Sequence, residues 1–289
     1  MKLKWAFNSA SVMKLGWDDE LKLWKKHKWK AVELWFDKVK ACMETGRTCA
    51  ELGSRMHDLG ITPIGVSPAV VWTTSTGHDP RHEMGELTER MNVTLALGAP
   101  ALTIVVLGKR GNDATSEYDR LAEKLRRIAD MAGQKNLRLN LEFIGGLPVN
   151  GTMGSCIDLV QKVDHPALGM LLDLCHYYTS ASHIEELQRL PKDKLFLVHV
   201  NDAQNRPMEV LGCEHRCFPG DGRIDVPGLL GEICRRTKYK GYFSLELYDK
   251  EVWEMPPQQV FKHAAESIKA VEKGLRGKGP KKKLVACHN

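Results

Sequence analysis

At 289 residues with 43% hydrophobic content the chain can bury one large core, and α/β barrels reach this size as a single unit. No stretch approaches the roughly 18–20 apolar residues of a membrane span, and "MKLKWAFNSA" lacks the apolar run and cleavage site of a secretory leader, so a cytoplasmic protein without membrane contact is expected. The net charge of +6 sits in the tail (Lys273, Arg276, Lys278, Lys281, Lys282, Lys283): 42 basic residues less these six leave 36 against 36 acidic ones, and a neutral body argues against a nucleic-acid partner.

Short apolar runs alternate with longer amphipathic ones. In chain order the pattern predicts a strand at 3–8, a helix at 17–28, a strand at 31–35, a helix at 47–59 and a strand at 62–67. A helix at 82–97, a strand at 101–107, a helix at 116–133, a strand at 137–143 and a helix at 153–163 follow. The series ends with a strand at 168–173, a helix at 182–190, a strand at 195–200, a helix at 225–237, a strand at 242–247 and a helix at 257–273. Ser116 followed by Glu117, and Asp225 ahead of Pro227, mark helix starts. Gly60, Gly98 and Gly133 stand where left-handed residues close helices.

Eight strands alternating with eight helices, with no linker between them, predict a single-domain (β/α)8 TIM barrel over 1–273. Residues 274–289 are expected to be a flexible basic tail. A doubly wound sheet would want a glycine-rich loop after the first strand, and "FNSASVMKLG" is not one. The eight scattered cysteines read as reduced thiols, and "CEHRC" (Cys213, His215, Cys217) lacks the second ligand pair of a zinc clip.

Barrel enzymes place their chemistry at the C-terminal ends of the strands. There the fifth strand carries Glu142, the sixth Asp173, the seventh His199 and the eighth Glu246. Three carboxylates crowded together repel one another unless a cation lies between them. With one imidazole they suit a divalent metal: Mn²⁺, Co²⁺, Zn²⁺ or Mg²⁺, the oxygen-rich set favouring Mn²⁺ or Mg²⁺. The long connection 201–224, with Arg206, Arg216 and Asp221, reads as a binding loop or lid. Trp72, Trp35 and Phe36 are candidate pocket walls, and Asn8 and Lys38 candidate substrate contacts.

The stretches "LNLEFIGG", "GMLLDLCHYY", "LVHVNDAQNRP" and "CFPGDGRID…YKGYFSLELYD" resemble the xylose-isomerase-like barrel superfamily of sugar isomerases, epimerases and dehydratases, and within it the inosose isomerases. The resemblance runs from "FNSA" to the last helix. It implies Glu142, Asp173, His199 and Glu246 as metal ligands, Glu142 and Glu246 as the acid/base pair, and His176 and Arg216 as substrate contacts. The implied activity is a metal-dependent isomerase or epimerase of a keto-sugar or keto-cyclitol, by proton transfer through a metal-stabilised enediolate, in a chain free to form homo-oligomers. A dehydratase of the inosose or 3-dehydroshikimate type, or an enzyme of another 3-keto-sugar or glycoside, would use the same site. Many ketose 3-epimerases carry a second glutamate six residues after the fifth-strand ligand, where this chain has Pro148. The abasic-site endonucleases on this barrel need further histidines after strands three and four, and "IGVSPAVVW" and "IVVLGKR" supply none. A binding protein without catalysis is the remaining alternative, marked by failure to bind metal.

Overall fold

The structure, a computed structural model, describes residues 2–277. In chain order its elements begin with β1 (Lys4–Asn8), α1 (Trp17–Lys26), β2 (Ala31–Trp35), α2 (Phe36–Met43), α3 (Cys49–Asp58), β3 (Thr62–Trp72) and α4 (Pro80–Ala96). They continue with β4 (Ala101–Leu107), α5 (Ala114–Gln134), β5 (Arg138–Glu142), α6 (Met153–Val163), β6 (Leu168–Asp173), α7 (Leu174–Tyr178) and β7 (Leu195–Val200). The last are β8 (Asp202–Ala203), β9 (Arg216–Cys217), α8 (Val226–Thr237), β10 (Tyr242–Leu245), α9 (Lys250–Glu254) and α10 (Pro257–Leu275). Eight parallel strands close in the order β1-β10-β7-β6-β5-β4-β3-β2, the expected barrel, and β8 and β9 form a separate antiparallel ribbon. No helix among the described residues is long and apolar enough to cross a membrane.

Several predicted boundaries move, each for a local reason. The carboxylate of Asp113 accepts from the Thr115 and Ser116 backbone N–H groups, so α5 starts there and the expected cap Ser116 lies inside it. Gly60 and Gly98 take the left-handed conformation, but Gly133 is helical and Asn136 (φ 55°) makes the turn instead. Asp225 caps α8 as expected, accepting from Gly228 N. β3 runs five residues past its predicted end because a register shift between Val66 and Ala69 absorbs Pro68, after which pairing with β4 resumes to Trp72. The predicted helix at 182–190 is a 3₁₀ helix, Ile184–Arg189, and α2, α7 and α9 are additional. Of the tail, Gly274 and Leu275 complete α10. Residues 278–289 lie outside the described ones.

Side chains alternate across each barrel strand, which divides the core in two. Outward residues such as Phe7, Leu34, Leu102, Leu141, Leu172, Val198 and Phe243 pack under the helices. Inward, Ala6, Ala31, Ile64, Leu171 and Leu197 make a separate apolar layer at the bottom of the barrel. Two residues further along β1, β2, β6 and β7 the same inward face carries Asn8, Glu33, Asp173 and His199, all fully buried. The apolar layer below is therefore what aims the polar one above.

Helix packing includes close approaches that a side chain would block. A Cβ on Gly53 of α3 would lie 2.8 Å from the Leu97 carbonyl oxygen at the end of α4. Gly53→Ala is expected to cost about 1–3 kcal/mol through overpacking, read as a lower urea midpoint at unchanged slope.

Candidate metal centre

Strand register sets the height of each functional side chain. Asp173 on β6 pairs directly with His199 on β7, and His199 with Ser244 on β10. Glu246 follows the last residue of β10, and its backbone N–H bonds the Val200 carbonyl at 3.2 Å, which keeps it in register beyond the strand. Glu142 ends β5. One ligand atom from each of Glu142, Asp173, His199 and Glu246 lies within 4.8 Å of all the others, and all four residues are buried.

His199 supplies the test of whether this set fits a cation. Its Nδ1 lies 3.1 Å from Glu246 Oε2, 3.5 Å from Glu142 Oε1 and 3.9 Å from Asp173 Oδ2. None of these is aligned as a hydrogen-bond partner, so the nitrogen is a buried polar atom without one. An unpartnered imidazole nitrogen facing three carboxylates is the donor set of a divalent metal, one nitrogen and three oxygens. The charge balance agrees: Glu33, Glu142, Asp173 and Glu246 meet Arg216 and His199, leaving excess negative charge even with the imidazole protonated. Such an imbalance is costly in a buried site unless a cation offsets it.

The same crowding shifts the proton affinities. Burial pushes Glu142 up to about 7, against the pull of His199. Burial would raise Asp173 too, but Arg216, His176 and His199 hold it at about 2. Glu246 is lowered in spite of its burial, by His199 and Arg216. His199 is held well above the ordinary histidine range, its burial outweighed by Glu246 and Glu33. His176 falls to about 4, because burial outweighs the attraction of Asp173, and is a neutral acceptor.

Around the cluster, neighbouring polar groups hold the ligand residues in place. Asp173 Oδ1 accepts from the His176 backbone N–H at 2.8 Å, which starts α7, and Oδ2 accepts from Asn201 Nδ2 at 2.6 Å. Asn201 Oδ1 in turn receives Cys175 N–H at 2.9 Å. Glu142 is fixed from behind, where Asn150 Nδ2 donates to its carbonyl at 2.8 Å. Residue 150 also closes the loop over Ile144, so the segment bearing Pro148 is short and braced.

The candidate substrate contacts separate into two groups. His176 and Arg216 reach the cluster: Arg216 Nη2 is 2.9 Å from His176 Nε2 and 3.2 Å from Asp173 Oδ2, and Nη1 is 3.0 Å from Glu246 Oε2. Arg216 is delivered by the β8–β9 ribbon, anchored where Asp202 accepts four backbone N–H groups, from Ala203, Gly220, Gly222 and Ile224. Asn8 also reaches the cluster, but as a support: its Nδ2 donates to Glu246 Oε1 at 3.2 Å and its Oδ1 accepts from Ala10 N. Lys38 turns elsewhere, to the Ser9 and Val12 carbonyls and the buried Glu20 at 2.9 Å, so its ammonium braces the loop after β1. Trp72 stacks on His78 at 4.9 Å, with its backbone held by Glu83 and Lys124. Trp35 packs on Tyr248 at 5.5 Å, and Phe36 lies under the Arg90 guanidinium.

The expected lid residues Arg206 and Asp221 are engaged outside the cluster, with Glu251 and His263. In the "CEHRC" stretch His215 Nδ1 accepts from Gly212 N, and among the described residues the four-residue cluster is the only such metal-ligand group. The seven described cysteines are free thiols; Cys287 lies outside the described residues.

Sequence reasoning passed over Glu33 and Asn201. The signal for Glu33 was available: in "AVELW" it is a charge inside an apolar strand, like Glu142 in "LNLEF". It sits on β2 with no exposure, and its Oε2 meets His199 Nε2 at 2.9 Å.

The chain is 25% identical over 274 residues to a protein named inosose isomerase from Bacillus velezensis, covering 93% of this chain and 97% of that one. It is 34% identical over 162 residues to a 3-dehydroshikimate dehydratase of Pseudomonas putida, covering 55% of this chain but 25% of that longer protein. Its fold superposes on the crystal structure of the IolI protein with a bound zinc atom at a TM-score of 0.85 and 21% identity, covering 94% and 99% of the two chains. The xylose isomerase-like TIM barrel family model matches residues 21–271, and the chain belongs to that family.

Proposed function

We propose that the protein is a divalent-metal-dependent isomerase or epimerase of a keto-sugar or keto-cyclitol, with an inosose as the leading substrate class. The observation that carries this reading is the buried Glu142, Asp173, His199 and Glu246 set with its unpartnered imidazole nitrogen. Those four residues would hold the ion. When bound, a divalent cation supplies Lewis-acid polarisation of a ketone, with Mn²⁺ favoured by the oxygen-rich donors and Zn²⁺, Co²⁺ and Mg²⁺ compatible with them.

The chain's own residues supply the proton transfer. Glu142, as a carboxylate, takes a proton from the carbon beside the ketone. Glu246, also a carboxylate, takes the proton of the hydroxyl on that carbon and returns it at the former ketone carbon. Glu142 then passes its proton to the new hydroxyl oxygen, which restores both groups. His176 is neutral and orients a substrate hydroxyl, while Arg216 is the permanent positive charge beside developing oxyanion character. Burial of the whole set keeps bulk water from competing with these transfers, and in D₂O deuterium enters through the exchangeable hydroxyl and carboxyl protons. The barrel 1–273 is a single catalytic unit, and a small molecule rather than nucleic acid is the partner.

The dehydratase relative supports a second reading, in which the same base removes the proton and a β-hydroxyl leaves. One experiment separates the two. Inososes, 3-keto-sugars and 3-dehydroshikimate are incubated in D₂O with the Mn²⁺-loaded protein and followed by mass spectrometry. Deuterium uptake without loss of water is expected. Loss of water from one of these substrates selects the dehydratase, and no exchange with any of them removes both readings.

A further inference from the structure

We infer that Glu33 is the positioning residue that fixes His199 for metal binding, as the hub of a polar layer crossing the barrel just below the cluster. β2 and β7 are not neighbours in the wall, being separated by β1 and β10. Contact between Glu33 and His199 therefore runs through the barrel interior. Glu33 Oε2 receives His199 Nε2 at 2.9 Å and Ser244 Oγ at 2.8 Å. Its Oε1 receives Thr103 Oγ1 at 3.3 Å, which is itself the acceptor for Asn140 Nδ2 at 3.3 Å. No lysine or arginine pairs with this carboxylate among the described residues, and its side chain is fully buried. A carboxyl group so placed is unfavourable unless its oxygens are met by donors, and here they are.

The chemistry of the pair is directional. A carboxylate can only accept, so Glu33 requires the hydrogen of the neutral imidazole to sit on Nε2. Nδ1, the atom facing the other three ligands, is then the one left with a lone pair for a metal. Glutamine at position 33 can turn its NH₂ toward Nε2, and the ring then carries its hydrogen on Nδ1, closed to metal. Ser244 and Thr103 hold the carboxylate from either side so that it cannot rotate away.

This inference rests on the reading of the cluster as a metal centre, so its test measures binding rather than turnover. Zn²⁺ and Mn²⁺ are titrated by calorimetry into metal-free parent, Glu33→Gln, Glu33→Asp and Ser244→Ala, each also melted without metal. Glu33→Gln is expected to weaken binding about 10–100-fold. Glu33→Asp, which keeps an obligate acceptor, should recover part of that loss, and ¹⁵N-histidine NMR of the Zn²⁺ form should show the His199 hydrogen on Nε2 in the parent. Unchanged affinity in Glu33→Gln beside normal binding by the parent overturns the role of Glu33 and leaves the metal centre standing, even if the variant melts lower. A parent that binds neither ion overturns both. If Glu33→Gln does not fold, Ser244→Ala decides: a several-fold weaker affinity supports the inference, and parental affinity overturns it.

Discussion

Glu142→Gln and Glu246→Gln, made singly, are expected to slow deuterium exchange at the carbon beside a substrate ketone by about 10²–10⁴-fold, the usual contribution of a general acid or base. Glutamine keeps the volume of the side chain and one accepting oxygen, so neither change opens a cavity. What it removes is the ability to hold a proton. The two effects should differ in kind. Glu142 sits at about 7 in the metal-free site because it is buried, and its loss removes the carboxylate that takes the proton once a metal has displaced its own. Glu246 is tied to Asn8, Arg216 and the neighbourhood of His199, so its loss also leaves a buried guanidinium short of one partner. Glu246→Gln should therefore lower melting temperature as well as exchange, whereas Glu142→Gln should act on exchange and metal affinity with little loss of stability. Mass spectrometry of the substrate after incubation in D₂O reads the first effect and calorimetry the others. Exchange at the parental rate in either variant would remove the two-glutamate scheme.

Metal affinity should rise steeply with pH. Ligation needs Glu142 ionised and His199 free of a proton on Nδ1, while the metal-free site holds protons on both: burial raises Glu142 to about 7, and the carboxylates around His199 hold its proton well above the ordinary histidine range. Metal and proton compete, so each displaced proton weakens apparent affinity about tenfold per pH unit below that group's own pKa. Above pH 7 the His199 proton alone remains to be displaced, giving a slope near one. Below pH 7 Glu142 adds its own, and the slope should approach two. Calorimetry in buffers of different ionisation enthalpy counts the released protons directly. A flat profile between pH 6 and 8 would contradict the ligand set. By linkage, metal at a hundredfold excess over its Kd should stabilise the fold by about 2.7 kcal/mol, and a chelator should return the melting temperature to the metal-free value.

Much of the barrel was legible because it depends on local pattern. A strand such as "GMLLDLCHYY" shows its apolar run and then Asp173 at its end, and the alternation of inward and outward residues is written into each strand separately. The same logic placed Glu142, His199 and Glu246 at one rim before any contact was known. Where local pattern misled, a competing local interaction was the cause, as when Asp113 rather than Ser116 capped α5.

The pairings within the site depend instead on closure. Glu33 and His199 are 166 residues apart and Asn8 and Glu246 are 238 apart, and no periodicity relates them. Lys38 and Asn8 both carried polar groups near strand ends, yet Lys38 bends toward backbone carbonyls and Glu20 while Asn8 supports a cluster carboxylate. Arg216 reaches the cluster only because the β8–β9 ribbon, anchored by Asp202, folds back over it. The sequence by itself thus determined the strands, their inward faces and the residue types at the rim, since these follow from a two-residue repeat within short segments. Tertiary structure decided which donor meets which acceptor, because a closed barrel brings opposite walls within hydrogen-bonding distance and buried charges there must each find a partner.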